Sequence, residues 1–162
     1  MVSFNISDFR SALSLDGARP NLFRVTMNFP ANVVDGAGAA ANKLTFMCKT
    51  AQLPGSTIGS VVVPYFGREV KLAGNRTFPD WTITIINDED FRVRDAFEEW
   101  MDGLNRHEFN TRNGNFRRPN SYVQDARVTQ FNKVGGQIKE YQFVGCFPID
   151  VSPIDVRSEE HT

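Results

Sequence analysis

The sequence predicts a mainly β protein with a single long amphipathic helix. Short runs of Val, Ile, Phe and Thr alternate with polar residues, and this period of two is typical of half-buried strands. Aromatic side chains, which favour strands, are plentiful, with 14 Phe, 2 Trp and 3 Tyr. At 162 residues the chain suits one domain, residues 1–162, that is long enough to bury a core.

The chain begins with a predicted short helix over Ser3 to Leu15. Ser7 is its expected cap, and Phe9 and Leu13 share one face. The clearest strand follows from Asn21 to Phe29, where apolar and polar residues alternate without a break. One face of this strand is therefore expected in the core and the other in water.

The next segment, residues 30–42, is rich in Gly and Ala, and a mobile loop is predicted there. Lys43 to Thr50 is predicted to be a strand, with Leu44, Phe46 and Cys48 pointing inward.

A further strand is predicted from Thr57 to Tyr65. Its run Val61-Val62-Val63 is apolar on both faces, so both faces need cover. A partner chain and a helix of the same chain are equally good candidates for that cover.

Residues 67–88 form the segment around which the chain is organised. Glu69 to Ala73 is predicted to be a short strand, Gly74-Asn75 a turn, and Thr77 to Ile86 a longer strand. Within the longer strand Trp81, Ile83 and Ile85 share one face.

The predicted helix runs from Glu89 to Leu104, with Asn87 and Asp88 as good helix caps before it. Asp88, Glu89 and Asp90 also suit the positive helix N-terminus, which explains these carboxylates better than a metal site does. Apolar side chains recur along the helix at steps of three and four: Val93, Ala96, Phe97, Trp100, Met101 and Leu104.

A long polar loop is predicted over residues 105–122. Its arginines and aromatic rings offer the charges and stacking faces that bind single-stranded nucleic acid: Arg106, Arg112, Arg117, Arg118, Phe109, Phe116 and Tyr122. The same residue types are enriched at protein–protein interfaces, which is the favoured interpretation, alongside a plain solvated loop.

The C-terminal part of the sequence predicts a hairpin. Its strands run from Val123 to Asn132 and from Gln137 to Phe147, joined by a turn that contains Gly135 and Gly136. An extended, Pro-interrupted connector over Pro148 to Val156 follows.

Composition limits the chemistry that this chain can perform. The net charge of −1 is unlike that of a generally basic nucleic-acid binder. The two Cys and two His do not have the spacing of a metal site. The sequence also contains no nucleophile elbow and no phosphate-binding glycine loop. We therefore expect no enzyme activity, no metal and no cofactor. The sequence lacks a signal peptide pattern and any run of about 18 apolar residues, so no membrane insertion is expected.

Self-association is the remaining class of function. About six predicted strands and one helix leave sheet faces and edges uncovered. Such edges pair readily with another chain, and closure into a ring satisfies them symmetrically. The residues by themselves therefore predict an assembling β domain.

Residues 67–88, read as GRxxKxAGxRTFxDWTxTxxND, resemble the signature of the tail tube proteins of T4-like contractile-tailed phages. Two other stretches agree with that family: residues 18–23 (ARPNLF), and residues 46–49 (FMCK) with Leu53-Pro54-Gly55. The resemblance implies two packed antiparallel sheets, as in a β-sandwich or barrel, flanked by one helix.

The resemblance also implies a function. Six-fold rings of this chain would stack into the inner tail tube, through which DNA passes without specific binding. The expected partners are the tail sheath, baseplate and tail terminator proteins, and the expected location is the virion, after assembly in the host cytoplasm. The near alternative is the tube of a phage-like contractile injection or secretion system that carries protein effectors.

Residue roles follow from the motif within residues 67–88 and, outside it, from the valine run, the amphipathic helix and the polar loop. The candidates for subunit or ring contacts are Val62, Arg68, Lys71, Arg76, Asp80, Asn87, Arg117 and Arg118. Structural roles within the chain are expected for Gly74, Trp81, Asp88, Phe97 and Trp100. For Arg76 the alternative to a contact role is an intrachain pair with Asp80.

Family members continue past the connector into a final aromatic-rich strand. After Arg157 this sequence has no such segment. The resemblance therefore implies either that the strand lies beyond the sequence given or that the barrel is completed in another way.

Overall fold

The computed structural model describes residues 6–13 and 17–155, in which strands predominate over helices. The strands are β1 (Phe23–Met27), β2 (Cys48–Ala51), β3 (Thr57–Tyr65), β4 (Arg68–Thr77), β5 (Ile83–Ile85), β6 (Gln124–Phe131) and β7 (Gln137–Cys146). The helices are α1 (Ile6–Ala12), α2 (Ala37–Met47), α3 (Arg92–Leu104), α4 (Pro119–Tyr122) and a 3-10 turn (Gly114–Phe116). The predicted mainly β class is confirmed.

The strands form three separate antiparallel sheets. Their orders are β1-β6-β7, β2-β5 and β3-β4. Within residues 6–13 and 17–155 no sheet closes into a barrel.

The core lies between the three-stranded sheet and two helices. Val25 and Val128 pair across β1 and β6 and are almost fully buried beneath Leu44 of α2 and Trp100 of α3. The ring of Phe29 meets that of Trp100 edge-on, with centroids 5.9 Å apart. The prediction of one flanking helix is therefore wrong, because α2 and α3 both contribute buried residues to this core.

Helix α2 occupies residues 37–42 of the predicted loop over residues 30–42 and most of the predicted strand over residues 43–50, while residues 30–36 have no regular structure. Ala has the highest helix propensity, and Ala37, Ala40 and Leu44 lie at helical spacing on the buried side. Phe46, expected to point inward, is 84% exposed. Helical spacing in the Ala-rich stretch was the signal that the strand interpretation missed.

The hairpin within residues 57–77 turns earlier than predicted. Strand β4 runs through Gly74-Asn75, and the chain reverses at Phe66 and Gly67, both of which have positive φ. Gly74 lies at a β-bulge, where a Cβ would come within 3.0 Å of the Gly59 carbonyl oxygen. Gly74 therefore allows β3 and β4 to approach each other closely, and it does not form the predicted turn.

The predicted strand from Thr77 to Ile86 is also shorter in the structure. Residues 78–82 are not a strand, and β5 holds only three residues. Trp81, Ile83 and Ile85 nevertheless lie half-buried against the core, as their shared face predicts.

Helix α3 begins at Arg92, three residues later than predicted. Its N-cap is Phe91, which has positive φ and makes no side-chain cap. The expected capping by Asp88 is wrong, because the Asp88 carboxylate instead forms an ion pair with Lys43. Of the two predicted core aromatics of the helix, Trp100 is 1% exposed and Phe97 is half-buried against the core.

The segment 105–122, predicted to be a loop, contains the 3-10 turn and α4. Phe116 anchors it, fully buried. The predicted C-terminal hairpin corresponds to β6 and β7. Residues 148–155 are extended without regular structure, and the expectations for residues 3–5, 14–15 and 156 onwards lie outside the described residues.

Candidate assembly surface on the β3–β4 hairpin

The β3–β4 hairpin is the one sheet of the described structure whose residues remain exposed almost throughout. Every residue of β3 is exposed, and in β4 only Gly74 is partly covered. Val61 and Leu72 lie opposite each other, and each is 53% exposed. No helix of the described chain covers the three valines, so of the two covers considered for them the intrachain helix is wrong.

The register explains how the hairpin is held together. Eight Cα pairs connect β3 and β4, from Thr57 opposite Thr77 to Tyr65 opposite Arg68. At the hairpin bend, the Tyr65 and Phe66 rings meet edge-on, with centroids 4.6 Å apart. The two strands therefore form a ladder with one bulge, and no other element of the described chain shields it from water.

All eight contact candidates have exposed side chains. Val62 and Lys71 are cross-strand partners in the hairpin, and Arg68 and Arg76 lie on the same strand as Lys71. Asp80 follows β4, and Asn87 follows β5. Arg76 and Asp80 make no ion pair with each other, so the intrachain alternative for Arg76 is absent from the structure.

Arg117 and Arg118 lie away from the hairpin, at the start of α4, and their side chains are exposed. The aromatic rings around them are largely committed elsewhere. Phe116 is fully buried, and Tyr122 packs under the Arg112 guanidinium at 5.3 Å. Phe116 and Tyr122 therefore do not offer free faces on which nucleotide bases would stack, whereas Phe109 is 69% exposed.

The carboxylates of Asp88 and Asp90, just before α3, are paired with a lysine. The Lys43 ammonium from α2 forms ion pairs with Asp88 and Asp90, the latter at 3.0 Å. The hydrogen bond to Asp88 and, to a lesser extent, that to Asp90 raise the pKa of Lys43. The same hydrogen bond from Lys43 lowers the pKa of Asp90. The ion pairs thus hold α2 against the β5–α3 connection.

The two cysteines are unpaired and half-buried. Burial raises the pKa of the Cys48 thiol, and burial with the nearby Asp125 carboxylate raises that of Cys146. Thiols with raised pKa values hold little thiolate near neutral pH and are poor nucleophiles.

No helix in the described part of the chain is long and apolar enough to span a membrane.

Sequence reasoning missed the two-sided character of the hairpin. It treated the valine run as apolar on both faces, and it broke β4 at Gly74-Asn75. The signal was present in β4, where apolar Val70 and Leu72 alternate with charged Glu69 and Lys71. This alternation shows which valines of β3 share a face with Val70 and Leu72 only when the hairpin turn is placed at Phe66-Gly67.

Comparison with known proteins gives this surface a context. The family described as phage tail tube protein matches residues 18–162. The chain is 30% identical over 148 residues to the tail tube protein gp19 of Enterobacteria phage T4, with 91% of this chain and 83% of that protein covered. The tail tube protein gp19 of Enterobacteria phage T6 gives the same identity and coverage.

A third relative is the tail tube protein of Serratia phage KSP90, 26% identical over 156 residues, with 93% of this chain and 84% of that protein covered. All three relatives are named as tail tube proteins, which are structural components of phage virions. The chain therefore belongs to the phage tail tube protein family, and it is a structural component of the virion rather than an enzyme.

Proposed function

We propose that this protein forms six-fold rings that stack into the inner tube of a contractile phage tail and that DNA leaves the particle through this tube. Neighbouring subunits would complete the separate sheets of one protomer into a closed β-lined channel. A tail sheath would surround the tube, and baseplate and tail terminator proteins would bind its two ends, after assembly in the host cytoplasm.

The exposed β3–β4 hairpin is the observation that carries this proposal. A two-stranded hairpin with no further packing is marginally stable in water. This one nevertheless exposes Val61, Val63, Val70 and Leu72 at 39% to 53%. Burial of apolar surface stabilises at about 25 cal/mol per Å², so cover by a neighbouring subunit would favour both the hairpin and the assembly.

The sheet edges give a second reason. Among the strands of residues 17–155, β1 and β7 lie at the two ends of their sheet, and β5 pairs only with β2. Each therefore leaves one row of backbone donors and acceptors without a strand partner. Exposed edges of this kind recruit strands from other chains, and a closed ring is the symmetric arrangement that leaves none over.

Passage of DNA requires a wall that does not hold phosphate tightly. The chain has a net charge of −1, and two of the three rings of the segment 105–122 are buried (Phe116) or packed against Arg112 (Tyr122), which leaves Phe109 as its exposed ring. Neither feature suits tight binding of nucleic acid.

The alternative is a tube of a contractile injection system that carries protein effectors. The three relatives described above are phage proteins, and this favours the phage tail.

Negative-stain electron microscopy of the purified protein, with light scattering across a concentration series, tests the proposal. We expect rings or hollow tubes with six-fold end views. A sharp monomer at high concentration, with no rings or tubes on the grid, would contradict it.

A further inference from the structure

We propose that the β3–β4 hairpin has an interface face, which lies on the body of a neighbouring copy of this chain, and a lumen face, which lines the channel. This assignment rests on the proposed tube function and adds to it which side chains point where. It follows from the register, because directly opposite residues of an antiparallel pair project to the same side.

The interface face is defined by three cross-strand pairs: Val61 with Leu72, Val63 with Val70, and Tyr65 with Arg68. Five of these six side chains are apolar or aromatic. All are exposed in the protomer, at 65% for Tyr65. The face is therefore a continuous apolar strip with one guanidinium at its tip.

The lumen face is defined by the alternate pairs: Ser60 with Ala73, Val62 with Lys71, and Pro64 with Glu69. It carries one positive and one negative charge and a single large aliphatic side chain. The hairpin is thus amphipathic. Val62 belongs to the lumen face, and Val61 and Val63 belong to the interface face. The proposal therefore replaces the contact role expected from the sequence for Val62 and Lys71 with a place in the channel wall.

A second copy of this chain is the occupant that the charges favour. Residues 57–77 contain three basic side chains and one acidic side chain, so the hairpin carries +2 and the rest of the chain, whose total is −1, carries −3. A positive hairpin is attracted to the negative body of an identical subunit, whereas two hairpins repel each other. This argues for head-to-tail contact, which generates a ring when the rotation between subunits closes.

The lumen face suits a wet channel. Lys71 and Glu69 are neighbours on this face and cancel each other's charge, so the strip presents no net attraction to a sliding polyanion. If the interface face lies on protein, the opposite face must lie in water. In a closed ring of inner strands that water is the channel.

A lysine scan of three adjacent valines tests the interface face. Each variant carries one lysine in place of one valine: Val61→Lys, Val62→Lys or Val63→Lys. The three consecutive side chains are 53%, 44% and 39% exposed in the protomer, respectively. We expect Val61→Lys and Val63→Lys to lower the yield of sedimentable tubes by at least about tenfold, since a buried unpaired charge is strongly unfavourable. Val62→Lys is expected to assemble at about the wild-type level.

The melting temperature of each unassembled variant provides the folding control. Because all three side chains are exposed in the protomer, we expect all three variants to melt close to the wild type. Equal loss of tubes in all three, or loss in Val62→Lys alone, would overturn the assignment of faces.

Thiol labelling tests the lumen face. In a parent carrying Cys48→Ser and Cys146→Ser, Val62→Cys in assembled tubes should react with a small maleimide and resist a long poly(ethylene glycol) maleimide. Val63→Cys, if assembled, should resist both reagents. Reaction of Val62→Cys with the large reagent along intact tubes would place this face outside and overturn the proposal.

The two proposals fail in different ways. If the wild type and the cysteine-free parent form no tubes by microscopy, the tube function fails. If both form tubes while the lysine or labelling pattern does not alternate from Val61 to Val63, the tube function stands and the assignment of faces fails.

Discussion

The indole of Trp81 stacks on the ring of Phe143, with centroids 4.2 Å apart and an interplanar angle of 21°. Its N–H also donates a hydrogen bond to the Gln52 carbonyl oxygen, 2.8 Å away. Trp81 therefore connects the segment after the exposed hairpin both to β7 of the three-stranded sheet and to the chain after β2. This half-buried contact is structural.

Replacement of Trp81 should lower stability in two separable steps. Trp81→Phe keeps a ring against Phe143 but loses the hydrogen bond to Gln52, for an expected loss of about 1 kcal/mol. Trp81→Ala also loses the stack, for about 3 kcal/mol, the lower end for an aromatic truncation because the ring is only partly buried. Urea unfolding of the unassembled protein measures both. An alanine variant with an unchanged melting temperature and no tubes would instead place Trp81 at a subunit contact.

Gly103→Ala in α3 should destabilise the protein despite the better helix propensity of Ala. The added Cβ would lie 2.7 Å from Phe116 Cε2 and 2.8 Å from Val33 Cγ1, both packed at the core. Overpacking of this kind costs about 1–3 kcal/mol, against a propensity gain of about 1 kcal/mol.

The matched control for Gly103→Ala is Gly38→Ala in α2, where a Cβ meets no atom within 4 Å. This change should raise the free energy of unfolding by up to about 1 kcal/mol. If both substitutions stabilise the protein equally in thermal melts, the close packing of Gly103 is not what limits that position.

The ion pairs of Lys43 should give stability a pH dependence. The pKa of Asp90 is lowered from 3.8, so the ionised pair stabilises the fold above that value and the effect disappears as pH falls through the lowered pKa. The pKa of Lys43 is raised from 10.5, so its contribution is present below that value and disappears as pH rises through the raised pKa.

Lys43→Met should therefore be less stable than the wild type by the widest margin between about pH 5 and pH 10, with the two converging at either extreme. Added salt should narrow the difference, because the ions are partly exposed. Denaturant unfolding across pH measures it, with Lys49→Met, an exposed lysine of β2, as the control. A constant difference from pH 3 to pH 7 would argue against this pairing.

Arg117→Glu combined with Arg118→Glu should weaken tube assembly and leave the protomer folded, because both side chains are exposed at the start of α4. Sedimentation and circular dichroism measure the two effects, with Lys49→Glu as the control for surface charge. The wild type should bind DNA weakly. Tight, salt-sensitive DNA binding that the double variant abolishes without affecting assembly would assign this segment to nucleic acid instead.

Local sequence patterns were sufficient to predict the mainly β class, β1, the β6–β7 hairpin and most of α3. Each of these has a strong local period, such as the alternation around Val25 or the helical spacing from Val93 to Trp100, and burial in the protomer agrees with that period. The motif within residues 67–88 likewise indicated the tail tube family, because its residue types and spacing can be read directly along the chain.

The hairpin turn and the role of Asp88 depended instead on tertiary contacts, and for α2 such contacts decided between the helical spacing of residues 37–44 and the strand-like alternation of residues 43–50. Residues 37–47 form a helix because Ala40 and Leu44 pack on a distant sheet, and Asp88 leaves the helix cap because Lys43 of that helix reaches it. The faces of β3 and β4 likewise depend on a bulge and a turn that fix which residues lie opposite. These features depend on long-range contacts, whose energies local patterns do not contain, and for the hairpin the proposed contacts belong to another subunit.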